Sequence, residues 1–311
     1  MVETWLITGG AGNLACQLTF QLARPERQLL LFDIAPHPVA PIAAGCVYER
    51  GDIRRVDTLA QMFEQYAPSV VIHFAALLSG KSELDRPLCW QVNMDGAFQL
   101  FELSVRHGVQ RFFFPSSVAS FGAPLPNPLP EEFPQWPIGL YGVTKACVER
   151  LGRYYHVRHG LDFRCIRVPI VVSAWAHAGA ASSYASLAFI ESAQQGRFTF
   201  RVRPETQPAL IYAADLIRAV GDLTEAPAAQ LTRRSYNVQA LSPTCQQLAD
   251  AVRLRFPDAD VQFDPDPQVT ELIDSWPVTV EDASARRDWG WRPRFGLDEM
   301  ADHFADSLTN P

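Results

Sequence analysis

The apolar positions of this chain fall into short unbroken runs separated by stretches of helical period. Trp5-Leu6-Ile7-Thr8, Leu29-Leu30-Leu31-Phe32, Val70-Val71-Ile72-His73-Phe74 and Phe112-Phe113-Phe114 each read as a strand. None of them alternates apolar with polar residues, so both faces of each strand are expected to be covered. Residues 12–23, between the first two runs, read as a helix closed by Pro25. Strands of this kind interleaved with helices predict an α/β fold: a doubly wound parallel sheet with right-handed crossovers.

The segment 94–108 carries an apolar stripe of Met94, Ala97, Phe98, Phe101 and Val105, with Leu100 and Leu103 off it and Gly108 as a stop. A helix apolar on more than one side is covered on more than one side, either by a second lobe or by another subunit. Prolines at 124, 126, 128, 130, 134 and 137 make 123–138 a loop leading to a helix that begins near Tyr141. Beyond residue 170 the pattern changes to helices near 183–195, 213–225, 243–255, 279–289 and 297–308, joined by Pro-rich turns and short strands. This predicts a first domain over 1–169, with segments at about 205–240 returning to it. Residues 170–311 then form mainly a smaller α+β lobe.

Composition narrows the possibilities. The chain has 311 residues, a formal charge of −7 and no basic stripe, so a nucleic-acid partner is not expected. No apolar run reaches the ~20 residues that span a bilayer, and no signal peptide is read at the N-terminus. The six cysteines are scattered without a Cys-x-x-Cys pair, and the seven histidines lack a metal-binding spacing. Core thiols in a reducing, cytoplasmic compartment and no metal are the expectation.

The first strand runs into Thr8-Gly9-Gly10-Ala11-Gly12-Asn13-Leu14-Ala15. In this Gly-x-x-Gly-x-x-Ala turn Gly9 permits the tight bend, Gly12 admits a pyrophosphate to the backbone, and Ala15 lets the helix pack on the strand. The helix N-terminus offers free amides and a partial positive charge. Asp33 ends the second strand, 21 residues after Gly12, where a carboxylate accepts both ribose hydroxyls of NAD and repels a 2′-phosphate. Ile34 and Ala35 supply no arginine for such a phosphate. Asp52, in Gly51-Asp52-Ile53 ahead of a helix, reads either as a helix cap or as an adenine contact.

Ser116-Ser117 follows the Phe112–Phe114 strand, and Tyr141 and Lys145 come 24 and 28 residues after Ser117. Tyr-x-x-x-Lys puts both side chains on one helix face, one turn apart. Oxidising an alcohol requires removal of its hydroxyl proton as hydride leaves the carbon. A phenol of ordinary pKa ~10 is a poor base at neutral pH, and a neighbouring ammonium is expected to lower it. Ser117 is expected to hold the substrate oxygen.

The order Gly-x-x-Gly, Asp, His-x-Ala-Ala, Ser-Ser and Tyr-x-x-x-Lys resembles the extended short-chain dehydrogenase/reductase family, the NAD-dependent epimerase/dehydratase family, over nearly the whole chain. The resemblance implies a Rossmann domain, bound NAD and a homodimer joined through a four-helix bundle. It implies Ser117, Tyr141 and Lys145 as catalytic residues. It also implies cofactor contacts from Gly9, Gly12, Asn13, Leu14, Asp33, Asp52, Ala75, Ala76, Leu77, Asn93, Ser116, Tyr141, Lys145 and Pro169.

Several segments are similar to one branch of that family, the short-chain type of L-threonine 3-dehydrogenases. They are His73–Ser79, Trp90–Met94, Phe114–Ser117, Ile166–Pro169, Asp274-Ser275-Trp276-Pro277 and Ala285–Trp291. The likeness implies oxidation of a β-hydroxy-α-amino acid at its hydroxyl carbon, with Ser79, Ser117, Tyr141, Ser182 and Ser183 around the substrate. Ser79 reads either as a contact to the substrate carboxylate or as a cap of the next helix. Two departures stand out: Ser183 occupies the place of an acid in the substrate loop, and Ile170 replaces a glycine, which is expected to narrow the nicotinamide region. Arg167 reads as the partner of a buried carboxylate, and Trp276 and Trp289 as core. Nucleotide-sugar chemistry, with Arg201 and Arg203 as candidates for a second diphosphate, is the rival reading, together with a dehydrogenase of another small hydroxy acid.

Overall fold

The computed structural model describes residues 2–176 and 181–309. The chain forms two compact units. The first contains the residues up to Ser120, Gln135–Arg167 and Ile217–Tyr236; the second contains Phe121–Pro134, Val168–Leu216 and the chain from Asn237 onward.

In chain order the strands and helices are β1 (Glu3–Thr8), α1 (Asn13–Leu22), β2 (Arg27–Asp33), β3 (Val47–Arg50), α2 (Val56–Tyr66), β4 (Val70–His73), α3 (Ser79–Leu84), α4 (Arg86–Trp90), α5 (Gly96–Arg106), β5 (Arg111–Ser117), α6 (Leu140–His159) and β6 (Asp162–Val168). They continue with β7 (Ile170–Val172), α7 (Tyr184–Gln195), β8 (Arg197–Phe200), β9 (Leu210–Tyr212), α8 (Ala213–Glu225), β10 (Ser235–Asn237), α9 (Cys245–Arg255), β11 (Asp260–Phe263), α10 (Pro267–Asp274), α11 (Ala283–Trp289) and α12 (Leu297–Thr309).

Seven strands form the main sheet in the order β3-β2-β1-β4-β5-β6-β10, with β3, β2, β1, β4 and β5 paired in parallel. This is the doubly wound sheet expected from the apolar runs. Its strand order reverses between β1 and β4, and ligands of such sheets bind at the carboxyl ends of the strands there. Leu6, Leu30, Val71 and Phe112 are fully buried, which explains the absence of alternation in their strands.

Three expectations are corrected. The strand read as Phe112–Phe114 extends to Ser117, so Ser116 and Ser117 lie on β5 and not beyond it. The helix read over 94–108 is helical in two styles: a π-helical turn over Gln91–Asp95 and then α5. Its inner face is Ala97, Leu100, Phe101, Leu103 and Ser104, whereas Phe98 and Val105 of the predicted stripe are 43% and 36% exposed. Helix α10 breaks in where only turns were read; Asp266 caps it by accepting from the Gln268 and Val269 amides, and Pro267 opens it.

Stacked rings tie α5, β5 and α6 together: Phe101 lies 4.3 Å from Phe112 and 4.7 Å from Tyr155. The fully buried Arg164 of β6 donates to the carbonyls of Leu223, Thr224 and Ala226 at the end of α8 and to Asp162. In the second unit β7 pairs with β9 and β8 with β11, and Ile170, Phe189, Phe200, Leu248 and Phe304 are among its core residues. Ile170 therefore has a packing role in this unit.

Candidate active site

Strand β5 and helix α6 bring the predicted catalytic residues together. Ser117 closes β5, its Oγ accepting from the Ala119 amide at 3.1 Å, and Tyr141, whose pKa it acts to lower, is the second residue of α6. One turn further, Lys145 is buried and its Nζ donates to the Pro115 carbonyl at 2.7 Å. The same Nζ lies 4.4 Å from the Phe114 ring centroid and 5.4 Å from that of Tyr141. Helix α6 comes this close because Gly142 has no side chain: a Cβ there would stand 2.1 Å from the Ala119 carbonyl oxygen.

The electrostatics differ from the expectation of a lowered tyrosine pKa. Burial pushes Tyr141 up to about 12, and only the Ser117 hydrogen bond acts in the opposite direction. Burial also brings Lys145 down to about 8, countered by Cys165 and Glu149. Desolvation disfavours the charged form of both groups, and here it outweighs the pull of a lysine whose hydrogen bond goes to a carbonyl. Beneath them His73 is buried, shares a 2.7 Å hydrogen bond with Thr8 Oγ1, and is held neutral with its pKa lowered to about 3 by burial and by Lys145.

The turn after β1 is shaped for a dinucleotide. Gly9 has φ +69, and a Cβ on it would lie 2.6 Å from the Ala75 nitrogen, so the turn and the loop after β4 touch backbone to backbone. A Cβ on Gly10 would meet Leu31 Cβ at 2.6 Å. Gly12 occupies the cap position of α1 with no side-chain cap bond, and the first turn of α1 carries no acidic residue. The amides that open α1 are therefore not masked by a carboxylate, as a pyrophosphate site requires. Asp33 is fixed at the end of β2 by the amides of Ala11 (3.1 Å) and Ala35 (2.9 Å). The residues present thus fit NAD: glycine cradle, helix terminus and ribose carboxylate.

The other predicted residues take definite places. Asn13 and Leu14 open α1, and Asn13 Oδ1 accepts from Gln17 at 2.7 Å. Asp52 is not the cap of α2, whose cap position is Arg55; its carboxylate binds the Arg54 guanidinium (2.5 Å), which holds its pKa low. Ala75, Ala76 and Leu77 follow β4, and Asn93 clasps Leu77 at both its amide (2.8 Å) and its carbonyl (3.1 Å) while donating to Thr144 (3.2 Å). Ser79 is the exposed first residue of α3, one past the cap position, so the reading of Ser79 as a cap fails. Ser116 is buried and donates to Glu149. Arg167 is the expected partner of a buried carboxylate, that of Glu149. Pro169, between β6 and β7, and Ser182 and Ser183, in a 3-10 turn before α7, belong to the second unit. Trp276 packs against that unit's core.

Sequence reading passed over Gly10, Arg50 and Glu149. Gly10 stands inside the glycine run that gave Gly9 and Gly12. Arg50 sits opposite Asp33 across β2 and β3, with Nε 3.2 Å from the Ile34 carbonyl, a neighbour that only the strand register reveals. Glu149 is four residues past Lys145, at the spacing that separates Lys145 from Tyr141.

Comparison with known proteins agrees with this geometry. Residues 5–238 match the model of the "NAD dependent epimerase/dehydratase family". The chain is 36% identical to the mitochondrial L-threonine 3-dehydrogenase of Bos taurus over 299 residues, covering 95% of this chain and 80% of that protein. It is similar in structure to the L-threonine dehydrogenase of Clostridium difficile, with TM-score 0.91, 28% identity and coverage of 99% and 98% of the two chains. It is also similar to a monomeric L-threonine 3-dehydrogenase from a metagenome, apo form, with TM-score 0.86, 28% identity and 98% coverage of each chain. No helix among the described residues is long and apolar enough to cross a membrane. The chain is thus an enzyme of the NAD-dependent epimerase/dehydratase family, with NAD as its cofactor and L-threonine 3-dehydrogenases among its relatives.

Proposed function

We propose that this enzyme oxidises the hydroxyl of a small β-hydroxy-α-amino acid, L-threonine to 2-amino-3-ketobutyrate, through Ser117, Tyr141 and Lys145. The observation that carries the reading is the buried Lys145, its Nζ 2.7 Å from the Pro115 carbonyl and 5.4 Å from the Tyr141 ring, one helical turn from Tyr141 and in the same unit as Ser117 and the glycine turn. The substrate comes from the relatives, whose names specify L-threonine. Gly9, Gly10, Gly12 and Asp33 would hold NAD, which when bound supplies the hydride acceptor. Ser117 holds the substrate oxygen, Tyr141 Oη takes its proton, and Lys145 supplies the positive charge that favours the phenolate. Ser79, in the same unit as Tyr141, would meet the carboxylate of the amino acid.

The ion pairs of the second unit favour a small substrate over a nucleotide sugar. Arg201 is paired with Asp266 at 2.5 Å and Arg203 with Asp274, so each guanidinium offered to a second diphosphate already faces a carboxylate. We further infer a homodimer joined through α5 and α6, where Phe98, Val105, Tyr154 and Val157 are exposed. Six unpaired cysteines suit a reducing compartment, the cytoplasm.

The deciding experiment measures NAD reduction with hydroxy amino acids, hydroxy acids and nucleotide sugars. Threonine or a close analogue is expected to be the best substrate; turnover of a sugar nucleotide alone would overturn the reading. Tyr141→Phe keeps the ring and removes the hydroxyl. Turnover should fall ~10²–10⁴-fold, the worth of a positioned acid or base, with NAD affinity nearly unchanged. Because the buried phenol must ionise, wild-type oxidation should accelerate as the pH rises. A folded Tyr141→Phe enzyme with most of its activity would refute the mechanism.

A further inference from the structure

Two successive residues of β5 each hold one residue of α6. The Pro115 carbonyl accepts from Lys145 Nζ at 2.7 Å, and the Ser116 hydroxyl donates to Glu149 Oε1 at 2.5 Å. Tyr141, Lys145 and Glu149 are spaced by four along one face of the helix. Glu149 is only 3% exposed. Arg167, from the neighbouring strand β6, grips it with Nε at 3.1 and 3.0 Å from its two oxygens and an Nη at 2.8 Å, and Gln135 adds a donor at 3.3 Å.

The two ties are not equivalent. Lys145 Nζ is held by one carbonyl, whereas the buried Glu149 carboxylate is held by Ser116, Arg167 and Gln135 together. We propose that Glu149, clamped by Arg167 and Ser116, is a positioning residue that fixes the register of α6 on β5 and so presents Tyr141 and Lys145 beside Ser117 throughout turnover. This rests on the reading of Tyr141 and Lys145 as the catalytic pair. Displacement of a reacting group by about 1 Å costs ~10²-fold in rate, so a register tie needs no contact with substrate to matter.

The same carboxylate acts on the charge of Lys145. The ionisable groups around that ammonium are Tyr141 and Glu149 on its own helix, Cys165 on β6 and His73 on β4. His73 is neutral at working pH. Cys165 is held as the neutral thiol by burial, and Glu149 favours the ammonium against the burial that brings it down to about 8. Removing the carboxylate therefore makes Lys145 lose its proton more readily.

The test uses the double variant E149Q/R167Q, which removes both charges together and leaves no unpaired ion in the interior. Lys145 is titrated by NMR in cofactor-free, 13C-lysine-labelled protein, its signal identified by loss in Lys145→Arg. The expected result is a folded protein whose Lys145 gives up its proton more readily than wild type. Its kcat falls ~10²-fold, while the substrate KM moves less than about threefold because no substrate contact is lost. A folded double variant with the wild-type titration and wild-type kcat overturns the proposal. Should that variant not fold, Ser116→Ala decides by rate, since it cuts one tie and leaves the ion pair. A kcat loss of ~10-fold at saturating NAD with an unchanged NAD dissociation constant supports the proposal, and wild-type kcat overturns it. The titration needs no substrate, so a wrong substrate assignment fails in the activity assay and leaves the NMR result standing.

Discussion

At the scale of single residues, Asp33 and His73 show how much one side chain decides. Asp33 is fixed by two backbone amides at the end of β2, and it is the carboxylate proposed to meet the ribose of NAD. Replacing Asp33 with Ser and the exposed Ile34 with Arg, beside the Arg50 already across the strand, should move the preference from NAD to NADP, read as the ratio of the two dissociation constants. An unchanged ratio would show that the carboxylate does not meet the ribose. His73 carries a pH dependence of stability. Its folded pKa of about 3 lies below the ordinary 6.5, so the unfolded chain binds the extra proton first. Its contribution is fully present above pH ~6.5 and is lost as the pH falls toward 3, to a limit of about 4–5 kcal/mol. Lys145, whose lowered pKa acts only above pH ~8, does not enter that window. Urea unfolding of His73→Asn between pH 6.5 and 4 should show a shallower loss of stability than wild type; an equal slope would contradict the burial argument.

At the scale of elements, the decisive contacts are close approaches of backbone. Gly142→Ala places a methyl 2.1 Å from the Ala119 carbonyl, which cannot rotate away as a side chain can. Helix α6 must shift, and turnover should drop by ~10²-fold or more, with a lowered melting temperature. Gly160→Ala is the control: it sits at the αL end of the same helix in open space, and should cost only ~1–2 kcal/mol of stability. Equal activity in both variants would show that the approach at Gly142 has no catalytic consequence. These elements were legible in the sequence to different degrees. Continuous apolar runs gave β1, β2, β4 and β5, and a glycine turn or Tyr-x-x-x-Lys is a local pattern that survives without tertiary knowledge. The buried face of α5 was misjudged because Phe98 and Leu103 are equally apolar, and only the packing on β5 tells which is inside. Glu149 and Arg50 act across strands and helices, so no local pattern announces them. The raised pKa of Tyr141 escaped for the same reason: burial is a property of the folded surroundings, and the spacing to Lys145 carries no information about it.

At the scale of the whole molecule, the proposed homodimer rests on the exposed apolar residues of α5 and α6. Phe98→Glu with Val157→Glu puts charge into that surface. Wild type should sediment as a dimer at micromolar concentration and the double variant near its 34.7 kDa chain mass; a monomeric wild type, as in the metagenomic relative, would remove this inference.

The first unit is also discontinuous along the chain, for it closes only with Ile217–Tyr236, whose carbonyls receive Arg164 and whose strand covers the edge of β6. A ribosome that has synthesised every proposed catalytic residue by position 145 has therefore not yet made a protected sheet. Once Arg164 and β6 have been made, about seventy further residues must follow before the arginine meets its carbonyls and the strand edge is covered, and an open edge is the kind of surface on which chains join one another. Translation of that middle stretch is thus the interval in which an unpaired edge of this sheet is open to another chain.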